Sequence, residues 1–331
     1  MRFYLVYVMV IYRAKELKEP VTLQKQVPNH SLSIVLTGGS SFTGAGLASE
    51  LAKQGYHVKA CLSQSMNSYA GYQAERIRRL PKTVQILDSL RSEQNHLSDL
   101  AKTLPPSAWI WHHHWMQNYQ SPNYDWALFE KTCLYPLASW VHSLPIGSQI
   151  IYSGTFFEPD EGGHSAPSTR TPYAESKALV WKHLQDLCHQ KNVLLKKVVI
   201  PHPVGSLEDS TRLTSMIVKS LALTKVFEVK TPQNFSDFLT LKSLSEAYAH
   251  LIQDPEKLIL RPSDQKKTIL EWANLILEEV FVKRLNLNDR KILTPKQQTD
   301  QTPKGYINSD PFPGDWELVW DDYAELAKKL L

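Results

Sequence analysis

Short apolar runs alternate along residues 33–205 with longer stretches in which apolar residues recur at helical spacing. The runs predict six strands, at residues 33–37, 55–62, 83–87, 108–111, 149–153 and 194–200. The intervening stretches predict helices, of which the clearest cover 124–144 and 173–190, and Pro136 predicts a disturbance within the first of these. Strands that alternate with helices in this way predict an α/β fold with a Rossmann-type, doubly wound parallel sheet.

The alternation weakens after residue 205, where short extended pieces separate further helical patterns at 213–223, 241–253, 268–281 and 321–331. We therefore predict three regions along the chain. These are an N-terminal extension at 1–30, a dinucleotide-binding domain at 31–205, and a smaller, mostly helical substrate-binding lobe at 206–331.

The composition of the 331 residues, 42% hydrophobic and 21% charged, is that of an ordinary globular protein. The net charge of +4 is mild and scattered, so it gives no reason to expect nucleic acid as a partner. The three cysteines, Cys61, Cys133 and Cys188, are far apart and predict free thiols in a reducing compartment. These features favour a cytoplasmic protein.

The apolar run at residues 3–12 is too short to cross a bilayer and lacks a good cleavage site for a signal peptide. We expect no stable membrane insertion. The extension is then disordered or loosely docked, a weak membrane-surface anchor, or the product of an over-long gene start.

A glycine- and serine-rich turn connects the first predicted strand to the first predicted helix. Small residues let backbone N–H groups approach a pyrophosphate, and the N-terminus of the following helix favours an anion. The predicted phosphate-binding residues are Gly38, Gly39, Ser40, Ser41, Phe42, Thr43 and Gly44.

Tyr173 and Lys177 are four residues apart and share one face of the helix that follows the fifth strand. A nearby ammonium lowers a tyrosine pKa from about 10, which suits a general acid or base. Thr155 at the end of the fifth strand has a hydroxyl that can bond a substrate oxygen beside the tyrosine, and Ser153 is the alternative hydroxyl.

Three consecutive histidines, His112, His113 and His114, follow the fourth strand. In an extended segment His113 points away from the other two, so the three cannot converge on one ion. We predict no metal site.

The ordered motifs at residues 37–44, 112, 153–155, 173–177 and 201–205 resemble the extended short-chain dehydrogenase/reductase superfamily, in its NAD-dependent epimerase/dehydratase branch. The resemblance covers about residues 32–280. It implies that Tyr173 is the catalytic acid or base, that Lys177 lowers its pKa and binds the cofactor ribose, and that Thr155 positions the substrate. It also implies a cofactor wall that includes Asp88 near the adenine, His112, His113, and Pro201 to Val204 beside the nicotinamide.

Two departures from this family concern the cofactor. Ser41 stands where the middle glycine of the turn is expected, and its hydroxyl can bond a phosphate oxygen. No acidic residue follows the second strand, where Ser63 stands instead. The missing carboxylate gives a slight preference for NADP over NAD, with Ser63 or Arg76 as possible partners of a 2′-phosphate.

Other departures concern the substrate. Phe156 and Phe157 follow Thr155 where dehydratases of the superfamily carry an Asp-Glu pair, which argues against a dehydratase. His114 replaces an alanine of relatives, and His202 stands where relatives often have asparagine. We predict that Phe156, His114 and His202 face the substrate.

The resemblance therefore implies an NAD(P)-dependent epimerase or reductase, with a nucleotide-linked sugar as the substrate and a homodimer as a possible assembly. Two alternatives stay open. One is an NADPH-dependent reductase of a non-sugar carbonyl. The other is a non-catalytic NAD(P)-binding sensor or scaffold.

Overall fold

A computed structural model of the chain describes residues 32–90, 96–112, 123–164, 166–167, 171–205, 207–295 and 302–331. The strands in chain order are β1 Ser33–Thr37, β2 Val58–Cys61, β3 Gln85–Leu87, β4 Ser107–Trp111, β5 Gln149–Thr155, β6 Leu194–Ile200, β7 His202–Val204, β8 Val226–Glu228, β9 Phe235–Thr240, β10 Ile259–Leu260, β11 Pro262–Ser263, β12 Gln265–Thr268, β13 Lys291–Leu293, β14 Gly305–Tyr306 and β15 Asp310–Pro311. The α-helices are α1 Phe42–Lys53, α2 Gly71–Arg78, α3 His96–Thr103, α4 Trp126–Phe129, α5 Tyr135–Ser143, α6 Pro172–Lys191, α7 Leu213–Thr224, α8 Leu241–Gln253, α9 Ile269–Ile276 and α10 Glu317–Lys328.

The central sheet has seven strands in the order β10-β6-β5-β4-β1-β2-β3, and every neighbouring pair in it is parallel. The predicted α/β fold with a doubly wound parallel sheet is confirmed. The winding reverses at β1, between β4 and β2, and a crevice opens there at the carboxyl ends of the strands.

Side chains alternate along each strand, so the two faces of the sheet pack into two different cores. Ile34 and Leu36 pack on one face with residues of α1 and α8 such as Leu51. Val35 points to the other face, into a core that includes Trp109 and residues of α3, α5 and α6. The sheet edge that carries the crevice is therefore held from both sides.

The long helix predicted at 124–144 is interrupted. A π-helical segment at Glu130–Leu134 separates α4 from α5, and Pro136 lies in the first turn of α5. Proline has no backbone N–H to donate. The π-helical turn before it places Pro136 at the start of α5, where the helix needs no hydrogen bond from that residue.

A second, smaller sheet contains β9 with β7, β12 and β14. The chain leaves the main sheet at Pro201, between β6 and β7. Around the small sheet lies a separate core in which the Phe238 and Trp272 rings stack with centroids 3.9 Å apart. Helix α8 and strand β10 come later in the chain but pack on the main sheet, and the boundary at residue 205 stays a prediction.

Among the described residues, no helix is both long and apolar enough to cross a membrane.

Candidate active site

A cleft of about 500 Å³ opens at the carboxyl ends of β1, β4, β5 and β6. Of the residues predicted from the sequence, those that line it are Ser41, Phe42, Thr43, His112, Thr155, Tyr173, Lys177, Pro201 and His202. The fold thus brings the phosphate-binding turn and the candidate catalytic residues to one cavity.

The glycine- and serine-rich turn is tightly closed. Gly38 has a φ of +72°, and a Cβ on Gly44 would lie 2.2 Å from the Gly38 carbonyl oxygen. Ser41 begins helix α1 as its cap, because its Oγ accepts from the Gly44 N–H (3.0 Å) and donates to the Gly38 carbonyl (2.9 Å). The serine that replaces the middle glycine therefore has a structural role in holding this turn.

Lys177 lies almost completely buried at the floor of the cleft. Its ammonium donates to the carbonyl oxygens of Ser153 (3.0 Å) and His112 (3.1 Å), at the ends of β5 and β4. Burial lowers the pKa of Lys177 to about 8, although the Glu158 carboxylate partly opposes this effect. An ammonium has three N–H donors, so a third can point toward a ligand.

Tyr173 lies in the first turn of α6, which Thr171 caps by accepting from the Ala174 N–H at 3.2 Å. Its ring lies 6.4 Å from that of Phe157, another residue of the cleft wall. Thr155, the last residue of β5, is buried and lines the same cavity. The residues that carry the phenol, the hydroxyl and the ammonium (Tyr173, Thr155 and Lys177) therefore line one cavity, where a single ligand can contact all three.

Ser153 is placed differently from Thr155. It is fully buried and its Oγ shares a hydrogen bond with the Tyr248 hydroxyl. Tyr152, its neighbour in β5, donates to the Lys177 carbonyl at 2.8 Å. Ser153 thus lies beneath the cleft, whereas Thr155 lies in its wall.

His202 forms part of an aromatic wall. Its ring stacks on Phe238 with centroids 5.6 Å apart, and its Nδ1 is 2.9 Å from the Ser236 Oγ. Burial, with a smaller contribution from Arg212, lowers the pKa of His202 to about 3, so the ring is neutral at ordinary pH. Phe156 is buried behind this wall, in contact with the rings of Phe157, His202 and Tyr306.

The residues predicted near the adenosine lie at the ends of β2 and β3. The Ser63 and Tyr69 hydroxyls are 3.3 Å apart, and the Asp88 carboxylate accepts from the Met66 N–H at 2.8 Å. Arg76 points elsewhere. It is buried and donates to the Leu207 carbonyl (2.8 Å) and the Asp209 carboxylate (2.7 Å).

Several remaining predicted residues stand outside the cleft wall. Val204 is buried in the second core, and Gly38, Gly39, Ser40 and Gly44 form the turn behind Ser41. His113 and His114 lie outside the described residues.

The His112 N–H donates to the Thr37 Oγ1 at 3.0 Å, which joins the ends of β4 and β1.

Arg212 also belongs to the cleft, although the sequence did not predict it. Its guanidinium lies 5.0 Å from the centroid of the Phe42 ring, donates to the Glu208 carboxylate (3.1 Å) and the Pro203 carbonyl (2.8 Å), and lines the cleft. It follows β7 in a polar segment, and the rule that ligands bind at strand ends could have indicated it.

The family model described as "NAD dependent epimerase/dehydratase family" matches residues 34–260. Similar solved structures include UDP-glucuronic acid 4-epimerase from Bacillus cereus in complex with UDP-glucuronic acid and NAD (12% identity, TM-score 0.67, 91% of this chain and 100% of that chain). They also include UDP-glucose 4-epimerase from Thermotoga maritima with UDP-glucose (12%, 0.66, 90% and 99%). A third is UDP-N-acetylglucosamine 4-epimerase from Methanobrevibacter ruminantium M1 in complex with UDP-N-acetylmuramic acid (13%, 0.66, 90% and 97%). None of the curated protein sequences compared matches the chain.

Proposed function

The chain belongs to the NAD dependent epimerase/dehydratase family, as its motifs predicted, and we propose that it is an NAD-dependent epimerase of a nucleotide-linked sugar. The observation that carries this proposal is that Tyr173, Lys177 and Thr155 line the same cleft as the N-terminus of α1. The phosphate-binding turn at residues 38–44 can hold a dinucleotide in this cavity, and Tyr173 can act as acid or base on a substrate bound beside it.

The residues of the cleft fit a dinucleotide. The turn before α1 is closed so tightly that a Cβ at Gly44 would lie 2.2 Å from the Gly38 carbonyl oxygen and 2.8 Å from the Ser41 Oγ. Small residues in such a turn let backbone N–H groups approach a phosphate. Lys177 presents its ammonium to the same cleft, where it would bond a ribose hydroxyl of the dinucleotide. The bound nicotinamide would supply a hydride acceptor for the substrate carbon and would return the hydride to it.

We infer NAD rather than NADP, against the slight preference read from the sequence. Arg76, one of the two groups proposed for a 2′-phosphate, is committed to Asp209 and Leu207. The Asp88 carboxylate lies against the loop that follows β2 and would repel an additional phosphate. The solved NAD complex of the B. cereus epimerase is consistent with this choice.

In the reaction proposed, Tyr173 takes the proton of a sugar hydroxyl as its carbon is oxidised and gives it back when the ketone is reduced on its other face. Lys177 favours the phenolate of Tyr173 by its positive charge. Thr155 donates a hydrogen bond to the same substrate oxygen and holds it near the phenol.

A nucleotide sugar also requires a partner for its diphosphate. Arg212 supplies a cation on the wall of the same cleft, and its side chain is 28% exposed, so it can meet a ligand. The solved relatives bound to UDP-sugars support this substrate class. The homodimer and the cytoplasmic location stay predictions.

A reductase of a non-sugar carbonyl is the second candidate. The observation that favours it is the apolar wall formed by Phe157 beside Tyr173, with the Tyr306 ring 4.6 Å behind it. A non-catalytic sensor is disfavoured, because a sensor does not need the phenol, ammonium and hydroxyl in one cavity.

The test is to incubate the purified protein with UDP-glucose, UDP-glucuronic acid and UDP-N-acetylglucosamine and to follow the anomeric and ring protons by NMR. Mass spectrometry of the denatured protein reports any retained nucleotide. We expect a second epimer to form without net consumption of NAD. Net NADPH oxidation with a simple carbonyl, and no change in any sugar, would favour the reductase.

A further inference from the structure

A buried ion pair lies directly behind the cleft. The Lys197 ammonium, from β6, is 2.7 Å from the Glu158 carboxylate, and the two side chains are only 3% and 2% exposed. Removing two charges from water is costly, and apolar residues of similar size often stabilise a fold as well. Stability alone therefore does not explain why an ion pair is buried at this position.

The second oxygen of the Glu158 carboxylate reaches the cleft wall. It accepts a hydrogen bond from the Thr155 N–H at 2.7 Å, and the Glu158 N–H donates to the Thr155 carbonyl at 3.1 Å. One carboxylate thus connects the lysine of β6 to the backbone of the residue whose hydroxyl lines the cleft.

Gly154 has no side chain because this pair occupies its surroundings. A Cβ there would lie 2.4 Å from the Lys197 Cε and 2.7 Å from a Glu158 oxygen. The sequence Ser153-Gly154-Thr155 therefore allows a buried lysine to pass behind the strand. The end of β5 and the ion pair are built as one unit.

The charges of the pair also affect the pKa of Lys177. The Glu158 charge raises the Lys177 pKa, and the Lys197 charge lowers it. The other titratable groups around this ammonium are Tyr152, whose ring it approaches, Tyr173 on its own helix, His112 at the end of β4, and Cys133 from the π-helical segment.

Resting on the proposed function, we propose that Glu158, held by Lys197, is a positioning residue that fixes the backbone of Thr155 in the cleft wall. It touches neither substrate nor cofactor in this account. Its two oxygens serve two donors, the Thr155 N–H and the Lys197 ammonium.

This double role makes Glu158→Gln informative. Glutamine has one oxygen and one NH2 group, so it must turn the NH2 group toward one of the two donors and lose that contact. In the double variant E158Q/K197M, the glutamine oxygen can again accept from the Thr155 N–H, because the competing ammonium is gone.

Glu161 provides a matched control. It belongs to the same network, with an oxygen 3.3 Å from the Lys197 ammonium and another 2.7 Å from the Arg261 guanidinium. Its carboxylate bonds Lys197 and Arg261 rather than Thr155. Glu161→Gln thus removes a neighbouring charge and leaves the carboxylate that bridges Thr155 in place.

The experiment measures kcat, KM and the pH dependence of NAD binding for wild type, E158Q, E161Q and E158Q/K197M, with thermal unfolding as the folding control. We expect kcat to fall about 10- to 100-fold in E158Q, the size that follows from small misplacement of a positioning group. KM should change less than kcat. E161Q should stay close to wild type, and the double variant should recover most of kcat.

The pH dependence of NAD binding gives a readout that does not need turnover. Without the Glu158 charge the Lys177 pKa falls, so the loss of binding at alkaline pH should move to lower pH in E158Q and should not move in E161Q. A folded E158Q with wild-type kcat and wild-type pH dependence would overturn the inference, as would equal effects of E158Q and E161Q. Absence of turnover in the wild type would instead contradict the proposed function, and NAD binding would still decide the inference. If E158Q does not fold, E158L/K197M decides the inference, because it removes the acceptor of the Thr155 N–H without leaving a buried charge unpaired. Its kcat should fall as expected for E158Q, and a wild-type kcat in this variant would overturn the inference.

Discussion

The ammonium nitrogen of Lys177 lies 3.0 Å from the backbone carbonyl oxygen of Ser153 and donates a hydrogen bond to it. A second bond, to the His112 carbonyl, fixes the same charge at the end of the neighbouring strand. A buried ammonium needs such partners, because burial of an unpaired charge is costly. The position of the cation is therefore set by the backbone of β4 and β5 rather than by a mobile side chain.

Lys177→Met should remove this cation without emptying its site. We expect turnover at neutral pH to fall about 100-fold or more, the scale of acid–base effects, because Tyr173 loses the charge that favours its phenolate. Thermal stability should change little, because an apolar chain of similar length avoids the burial of a charge. Steady-state kinetics with Lys182→Met, an exposed lysine of the same helix, is the control. Equal activities of the two variants would contradict the role of Lys177.

Gly44→Ala tests the phosphate cradle. The added Cβ would lie 2.2 Å from the Gly38 carbonyl oxygen, so the turn must shift. We expect a loss of unfolding free energy of about 1–3 kcal/mol, as for other overpacked sites, and a weaker affinity for NAD. Calorimetric titration with NAD measures the second effect, and Ser49→Ala, one turn further along α1, is the comparison. Unchanged NAD affinity in G44A would place the pyrophosphate elsewhere.

The cofactor preference follows from Arg76 and Asp88. Because Arg76 is bound to Asp209 and Leu207, a 2′-phosphate would lose water without gaining that cation, at a cost of about 1–3 kcal/mol. We therefore expect NAD to bind about tenfold more tightly than NADP, or better, in parallel titrations at one ionic strength. Tighter binding of NADP would restore the preference read from the sequence.

His202 makes the stability of the protein depend on pH. Its pKa is about 3 in the folded chain, against 6.5 for an ordinary histidine, so the unfolded chain binds a proton that the folded chain does not. Stability is then complete above pH 6.5 and is lost as the pH falls below it. We expect a loss of about 1–2 kcal/mol between pH 7.5 and pH 5 from this residue.

Urea unfolding of His202→Asn at both pH values checks this dependence, because asparagine cannot take the proton. The difference between the two pH values should shrink in H202N, whereas His57→Asn, at an exposed position, should leave it as in wild type. A pH dependence that H202N leaves unchanged would show that other groups cause it.

The parts of the fold that the sequence predicted are those with a local signal. Ile34, Val35 and Leu36 form a continuous apolar run because both faces of a central parallel strand are buried. The two-residue strand β10 was not predicted, since so short a segment has no periodicity to read. Pro136 predicted a disturbance of the helix at 124–144, but no local pattern predicted that it takes the form of a π-helical segment at Glu130–Leu134.

In the candidate site too, the residues with a local sequence signal were predicted and those that depend on distant contacts were not. Tyr173 and Lys177 could be paired from their spacing alone, and a helix starts where that pairing requires it. The capping role of Ser41 and the commitment of Arg76 to Asp209 depend on contacts that no local pattern reveals. The bridge from Lys197 through Glu158 to Thr155 likewise appears only when β5 and β6 lie side by side.

The most direct test of the account is the turnover of Tyr173→Phe, measured by NMR on the same UDP-sugars at matched NAD occupancy. The variant keeps the ring and its packing near Phe157 and loses only the phenolic hydroxyl. We predict that NAD affinity stays within about twofold of wild type and that epimer formation falls by about 100-fold or more. Wild-type rates of epimer formation in Tyr173→Phe would contradict the mechanism.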